Sequence, residues 1–228
     1  ADADGSSSSS DAETRPDTRP DSDDADTASP EDTGGTADTG SPPTDWPDFF
    51  AAADVSTDQM ALIRADYQTA SAAWGTAQPL EYWIVGTDEA AAEALDVEFC
   101  SVRMAHDPLL TEEYRAYCEN REYSFVDYAR DGGAGLSMHI SQDDAYSTML
   151  ITLASKNPFP DESDYTAVGY HEYFHAIQVS HIDLVNQDTF EALMLVNPWW
   201  TEGGAEYMAQ LLYAQQPGVE DGYLKERM

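Results

Sequence analysis

The chain of 228 residues carries 44 acidic against 10 basic side chains, a formal net charge of −34, and 42% of its residues are apolar. Such a charge disfavours nucleic-acid and anionic-lipid partners, which both require a basic face, while the apolar share is ample for a core. No stretch approaches the roughly 18 apolar residues of a membrane span, and no signal peptide or internal repeat stands out.

Residues 1–45 are built mainly from Asp, Ser, Thr, Gly, Pro and Ala, with no aromatic residue before Trp46. A stretch of this kind buries too little apolar surface to offset its ordering entropy, so a disordered acidic tether is expected. Beyond residue 50 stand 30 acidic and 8 basic residues, about −22 in net charge, with Lys156 and Lys225 the only lysines. An acidic, lysine-poor surface suits a saline medium or cationic substrates. The chain opens at Ala1 directly into the tether, as a mature form does after removal of an export signal, and the expected location is secreted, periplasmic or cell-surface.

After "SPPTDWP", the segment 56–74 shows helical apolar spacing at Met60, Ile63, Tyr67, Ala70 and Trp74, with Ser56 as N-cap and Gln59 completing a capping box. "PLEYWIVG" (79–86) reads as a strand, "DEAAAEAL" as a short helix and "DVEFCSVRM" as a second strand. "LLTEEYRAYCENRE" reads as a helix and "YSFVDYA" as strand-like. Cys100 and Cys118 either form one disulfide in an oxidising compartment or remain two buried thiols, since spacing does not show geometry. "LSMHIS" and "YSTMLITLAS", on either side of "QDDA", predict a hairpin, and from Ser163 onward the chain reads as helical. The expected class is therefore α+β: a mixed sheet in residues 46–162, then a helical part in 163–228, possible incompleteness at its C-terminus included.

"YTAVGYHEYFHAIQV" can run as one helix, capped by Ser163 or Asp164, with Val168, Phe174 and Ile177 turned inward. Its His-Glu-x-x-His pattern places His171 and His175 on one face, where both imidazoles can meet one metal ion. Glu172 is one step round, within reach of a water that such an ion acidifies, and can pass its proton to a leaving amine.

The third ligand has two candidates. His181 follows His171 by ten residues, the metzincin spacing, but Gln178 stands where that clan has the glycine that turns the chain out of the helix. In a continuing helix His181 lies about 15 Å along the axis from His171, too far to share an ion. "NPWWTEGGAEYMAQLLYA" offers the other candidate. Asn197 is a strong N-cap, Pro198 fits the first helical position, and Glu202 and Glu206 share a face. Gly203 and Gly204 each cost about 1 kcal/mol inside a helix, which predicts that a backbone or a bulky side chain comes very close. Glu206 is placed to accept from the far nitrogen of a ligand histidine.

HEYFH followed by WWTEGGAEY resembles the gluzincins, the HExxH metallopeptidases whose third ligand is a downstream glutamate, and most of all their collagenase-type and aminopeptidase-type branches. The likeness covers about 45 residues, 168–212. It implies one catalytic Zn²⁺ on His171, His175 and Glu202, Glu172 as general base, and Glu206 as the carboxylate behind a ligand. The expected activity is peptide-bond hydrolysis by an exported enzyme, with a peptide or protein as partner and no nucleic acid. Two alternatives stand: an exported binding or scaffold protein with a structural zinc, and a metzincin-like peptidase using His181. No oxyanion-stabilising residue is assigned: no tyrosine lies between His175 and Glu202, and Tyr207, Tyr213 and Tyr223 sit on or beyond the ligand helix. The edge hairpin can carry an extended substrate, His139 reads as a strand-face residue, and Asp143-Asp144 reads as a turn before it reads as a Ca²⁺ site.

Overall fold

"LEYWIV" forms β2 (Leu80–Val85), a strand buried at every position, because both its edges are paired and both its faces covered. In the computed structural model, which describes residues 47–77, 79–121, 124–143, 146–156, 162–181 and 198–227, β2 sits inside a four-stranded mixed sheet. β1 (Asp48–Ala51) and β4 (Ser147–Ala154) flank it in parallel, and β3 (Ala134–Ile140) forms the edge antiparallel to β4, in the order β1-β2-β4-β3. The expected hairpin is thus β3–β4, and the fold is α+β. Alternation sends Leu80, Tyr82 and Ile84 to one face of the sheet and Trp83 and Val85 to the other.

The first face is covered by α1 (Thr57–Trp74), α5 (Glu162–Ser180) and α6 (Pro198–Tyr213). The second is covered by α2 (Glu89–His106) and α4 (Phe125–Asp131), with α3 (Glu112–Glu119) packed on α2. A short α7 (Tyr223–Arg227) follows α6. Ser56 caps α1 by accepting from Gln59 N at 3.1 Å. The predicted capping box does not close, because the Gln59 amide instead donates to Tyr165 Oη and accepts from Ser155 Oγ, tying α1 to α5 and the end of β4.

Two segments differ from the sequence reading. Residues 96–104 are not a strand but part of α2, and of the segment read as a strand at 123–129 the described residues are the cap Ser124 and the body of α4. The buried stripe of α2 is Ala92, Leu95, Asp96, Cys100 and Arg103, a helical spacing disguised because two of its members are charged. Both charges are paired inside: Arg103 Nη2 meets Glu81 on β2, whose carboxylate also accepts from Trp83 Nε1, and Asp96 accepts from Arg121 and from Phe125 N. In α4, Asp127 reaches back to the N–H of Ser124, a start signal that outweighs the strand-like aromatic and β-branched composition. Cys100 and Cys118 are bonded, joining α2 to α3 with their Cα atoms 5.9 Å apart.

Ser163 and Asp164 lie within α5, not before it, since the helix already includes Glu162. Pro198 opens α6 as expected, while Asn197 and the tether of residues 1–45 fall outside the described residues.

Candidate metal centre

α5 crosses the sheet face against α1 and is pinned there by Tyr173, whose hydroxyl donates to Gly75 O at 2.7 Å and accepts from Ala77 N. Phe174 stands edge-on to Trp74, and Ile177 is buried in the core, while Val168 packs against it. α6 approaches α5 through a stripe of small residues: Thr201, Ala205 and Ala209 recur every four positions and are wholly buried. The closeness predicted from the glycine pair therefore comes mainly from these residues. A Cβ on Gly203 would meet nothing within 4 Å, whereas one on Gly204 would stand 3.2 Å from Gln178 Nε2.

Across this interface three ligand-type atoms converge. His171 Nε2 lies 3.0 Å from His175 Nε2 and 3.3 Å from Glu202 Oε2, and His175 Nε2 lies 3.5 Å from the same oxygen. Ligand atoms on a tetrahedral ion with bonds of roughly 2.0–2.2 Å stand about 3.3–3.6 Å apart, so this triangle is of the right size to hold one metal ion. Among the described residues, His171, His175 and Glu202 form the group whose ligand atoms, all within 4.8 Å of one another, could hold a metal ion.

The far nitrogens show how each ring is held. His171 Nδ1 faces Glu206 Oε2 at 3.3 Å; Glu206 in turn accepts from Gln210 Nε2 at 3.0 Å, and Gln210 accepts from Tyr223 Oη at 2.8 Å. His175 Nδ1 faces Gln178 Oε1 at 2.9 Å. Gln178 Nε2 meets the carbonyls of Trp200 and Thr201 at 2.7 and 3.2 Å. Carbonyls only accept, so the Gln178 amide group must face them and its oxygen must face His175. Gln178 Oε1 can only accept, which places a proton on His175 Nδ1, and Glu206 offers an acceptor to His171 Nδ1; the two Nε2 atoms then face one another and a carboxylate oxygen. Three such atoms at this range are held together by a cation or a shared proton between them.

Glu172 lies beside the triangle, 8% exposed. Burial, then the negative charge of Glu202, pushes its carboxyl up to about 8. Burial likewise pushes the His175 imidazole down, against the hydrogen bond it donates to Gln178, which acts in the opposite direction.

His181 does not join the group. α5 runs unbroken through Gln178 to Ser180, and His181 follows it as an exposed residue. His139 pairs with Thr148 on the sheet face opposite α5, among Arg103 and Asp107, and burial pushes it down to about 4. Tyr207 is exposed, Tyr213 packs against the core and Tyr223 is engaged with Gln210. Asp143 accepts from Ser141 Oγ in the hairpin turn; Asp144 lies outside the described residues, and no donor group for calcium forms around the turn among those described.

Gln210 has no place in the sequence reading, and Gln178 and Tyr223 appear there without the roles they take here. Gln178 was legible in principle, because it stands three residues after His175 and seven after His171, on the same helix face. Gln210, four residues after Glu206, was legible by the same rule. Tyr223 was not, since its placement depends on how the chain folds back after α6.

Family models, curated proteins and solved structures were compared with the chain, and none matches. No described helix is long and apolar enough to cross a membrane.

Proposed function

We propose that the protein is an exported zinc-dependent peptidase of gluzincin type, with His171, His175 and Glu202 as zinc ligands and Glu172 as general base. The observation that carries the reading is the convergence of two imidazole Nε2 atoms and one carboxylate oxygen within 3.0–3.5 Å, beside a buried glutamate. Two imidazoles and a carboxylate are a donor set that suits zinc, and three protein ligands leave a position for substrate. When bound, the ion supplies a Lewis acid that acidifies water and polarises a carbonyl.

The chain's own groups do the rest. Glu206 and Gln178 hold the two rings with their Nε2 atoms inward. The Glu172 carboxylate takes a proton from the attacking water and returns it to the leaving nitrogen of the cleaved peptide. Its burial favours this: a carboxylate destabilised by desolvation is a stronger base, and a nearby dication favours the ionised form from which it acts. A purely structural zinc site has no use for such a group, which weighs against the scaffold alternative. β3 lies at the sheet edge next to α5, and its outer side pairs with no strand among the described residues, so an extended peptide can add there. The Cys100–Cys118 bond supports an oxidising compartment and hence export.

Metal analysis and cleavage of a mixed peptide library test the reading. The chain is expected to bind one zinc and to cleave peptides, and Glu172→Gln to keep the zinc while losing roughly 10²–10⁴-fold in rate. Retention of both zinc and full activity in that variant would refute the mechanism.

A further inference from the structure

We infer that Gln178 is the positioning residue of the centre: one amide fixes the tautomer of His175 and, at the same time, fastens the helix turn that presents Glu202. The inference rests on the zinc reading of the site and adds to it the device that assembles the site from two helices.

A buried side chain with both a donor and an acceptor end can join two elements only if each end finds the right partner. Gln178 is 6% exposed and satisfies that condition. Its oxygen accepts from His175 Nδ1 within α5, and its nitrogen donates to Trp200 O and Thr201 O in the first turn of α6. Thr201 is the residue immediately before Glu202. The second and third ligands are therefore set by one side chain, the second through its ring and the third through its backbone.

Gly204 belongs to the same device. Its missing Cβ leaves the side of α6 open where the amide lies, and any substituent there would stand 3.2 Å from Gln178 Nε2. The amide is held at both ends and has little freedom to withdraw. The helix thus accepts a glycine, a poor helix former, because the clamp has to reach its carbonyls.

The chemistry is specific to an amide. Glutamate at 178 keeps an acceptor for His175 but sets a carboxylate against two carbonyl oxygens, so the ring stays oriented while the α6 turn is repelled. Methionine keeps the volume and loses both ends. The two variants therefore separate the two tasks.

The experiment uses the full chain. In metal-free protein labelled with ¹⁵N in its imidazoles, two-bond proton–nitrogen correlations at pH 8 are expected to show His175 as the Nδ1–H tautomer. Gln178→Met is expected to lose that preference and Gln178→Glu to keep it. Zinc affinity, measured by competition with a chromophoric chelator, is expected to fall about 10–100-fold in both, the range typical of partners behind metal ligands. Gly204→Ala is expected to weaken zinc binding less, without altering any ligand. An Nε2–H or averaging His175 in the unsubstituted chain overturns the inference, as do folded Gln178→Met and Gln178→Glu proteins that bind zinc within twofold of it. Should the unsubstituted chain bind no zinc, the metal reading falls, while the tautomer measurement still decides whether Gln178 orients His175.

Discussion

The two faces of the sheet bury glutamates in opposite ways. On the α2 face, Glu81 is 1% exposed and is met by the Arg103 guanidinium and Trp83 Nε1, so its charge is answered from within. On the α5 face, Glu172 is buried with Glu202 as its charged neighbour, and no cationic side chain pairs with it among the described residues. The first arrangement costs the desolvation of two charges and repays it with geometry, holding α2 on the sheet. The second leaves a carboxyl whose ionised form is disfavoured until a cation arrives. Burial alone does not separate the two carboxylates; what distinguishes Glu172 is burial without a counter-charge beside a converging donor set.

Substitution tells the two glutamates apart. The largest expected effect is chemical: Glu172→Gln removes hydrolysis by roughly 10²–10⁴-fold, whereas Glu81→Gln leaves the rate per folded molecule unchanged. The next is structural. Arg103→Met strands the Glu81 charge and is expected to cost about 3–5 kcal/mol in chemical denaturation, while the double change Glu81→Leu with Arg103→Met recovers most of that loss. Equal destabilisation by the single and the double change would contradict the account of the pair.

A smaller effect concerns pH. The Glu172 carboxyl, pushed up to about 8, and that of Asp66, pushed up to about 7 by burial against a hydrogen bond from Thr166, hold protons that the unfolded chain has released. Folded pKa values above the unfolded ones mean that stability is fully present below the unfolded values and falls as pH rises toward the folded ones. His139 and His175 act in the opposite sense, because their folded values are lowered, but their contribution is complete once pH exceeds the unfolded value of 6.5. Between pH 6.5 and 8 the metal-free protein is therefore expected to lose stability, by about 2 kcal/mol at most from Glu172. Glu172→Gln should flatten that slope and Asp66→Asn should reduce it. A melting temperature that rises across this window would contradict the sign.

How much of this was legible in the sequence depended on how each side chain is satisfied. The motif residues His171, Glu172 and His175, and the pair Glu202 and Glu206, are read directly from helical spacing, because their relation is local and repeats every turn. β2 and the hairpin were readable because short apolar, β-branched and aromatic runs bounded by turn residues mark strands, and the single charge in β2, Glu81, does not break that pattern. α2 was not, because Asp96 and Arg103 occupy core positions and their partners, Arg121 and Glu81, lie far away in sequence. Gln178 was read only as a position lacking glycine; its role needed the placement of α6. The glycine pair was half right: Gly204 makes room for an amide, Gly203 for nothing described.

The central claim is that the centre is completed by Glu202 and not by His181. Zinc titration calorimetry on the unsubstituted chain, Glu202→Ala and His181→Ala tests it directly. The account predicts one zinc per chain, a loss of affinity of about 100-fold or more in Glu202→Ala, and no change in His181→Ala. Loss of the ion in His181→Ala with full binding in Glu202→Ala would contradict it.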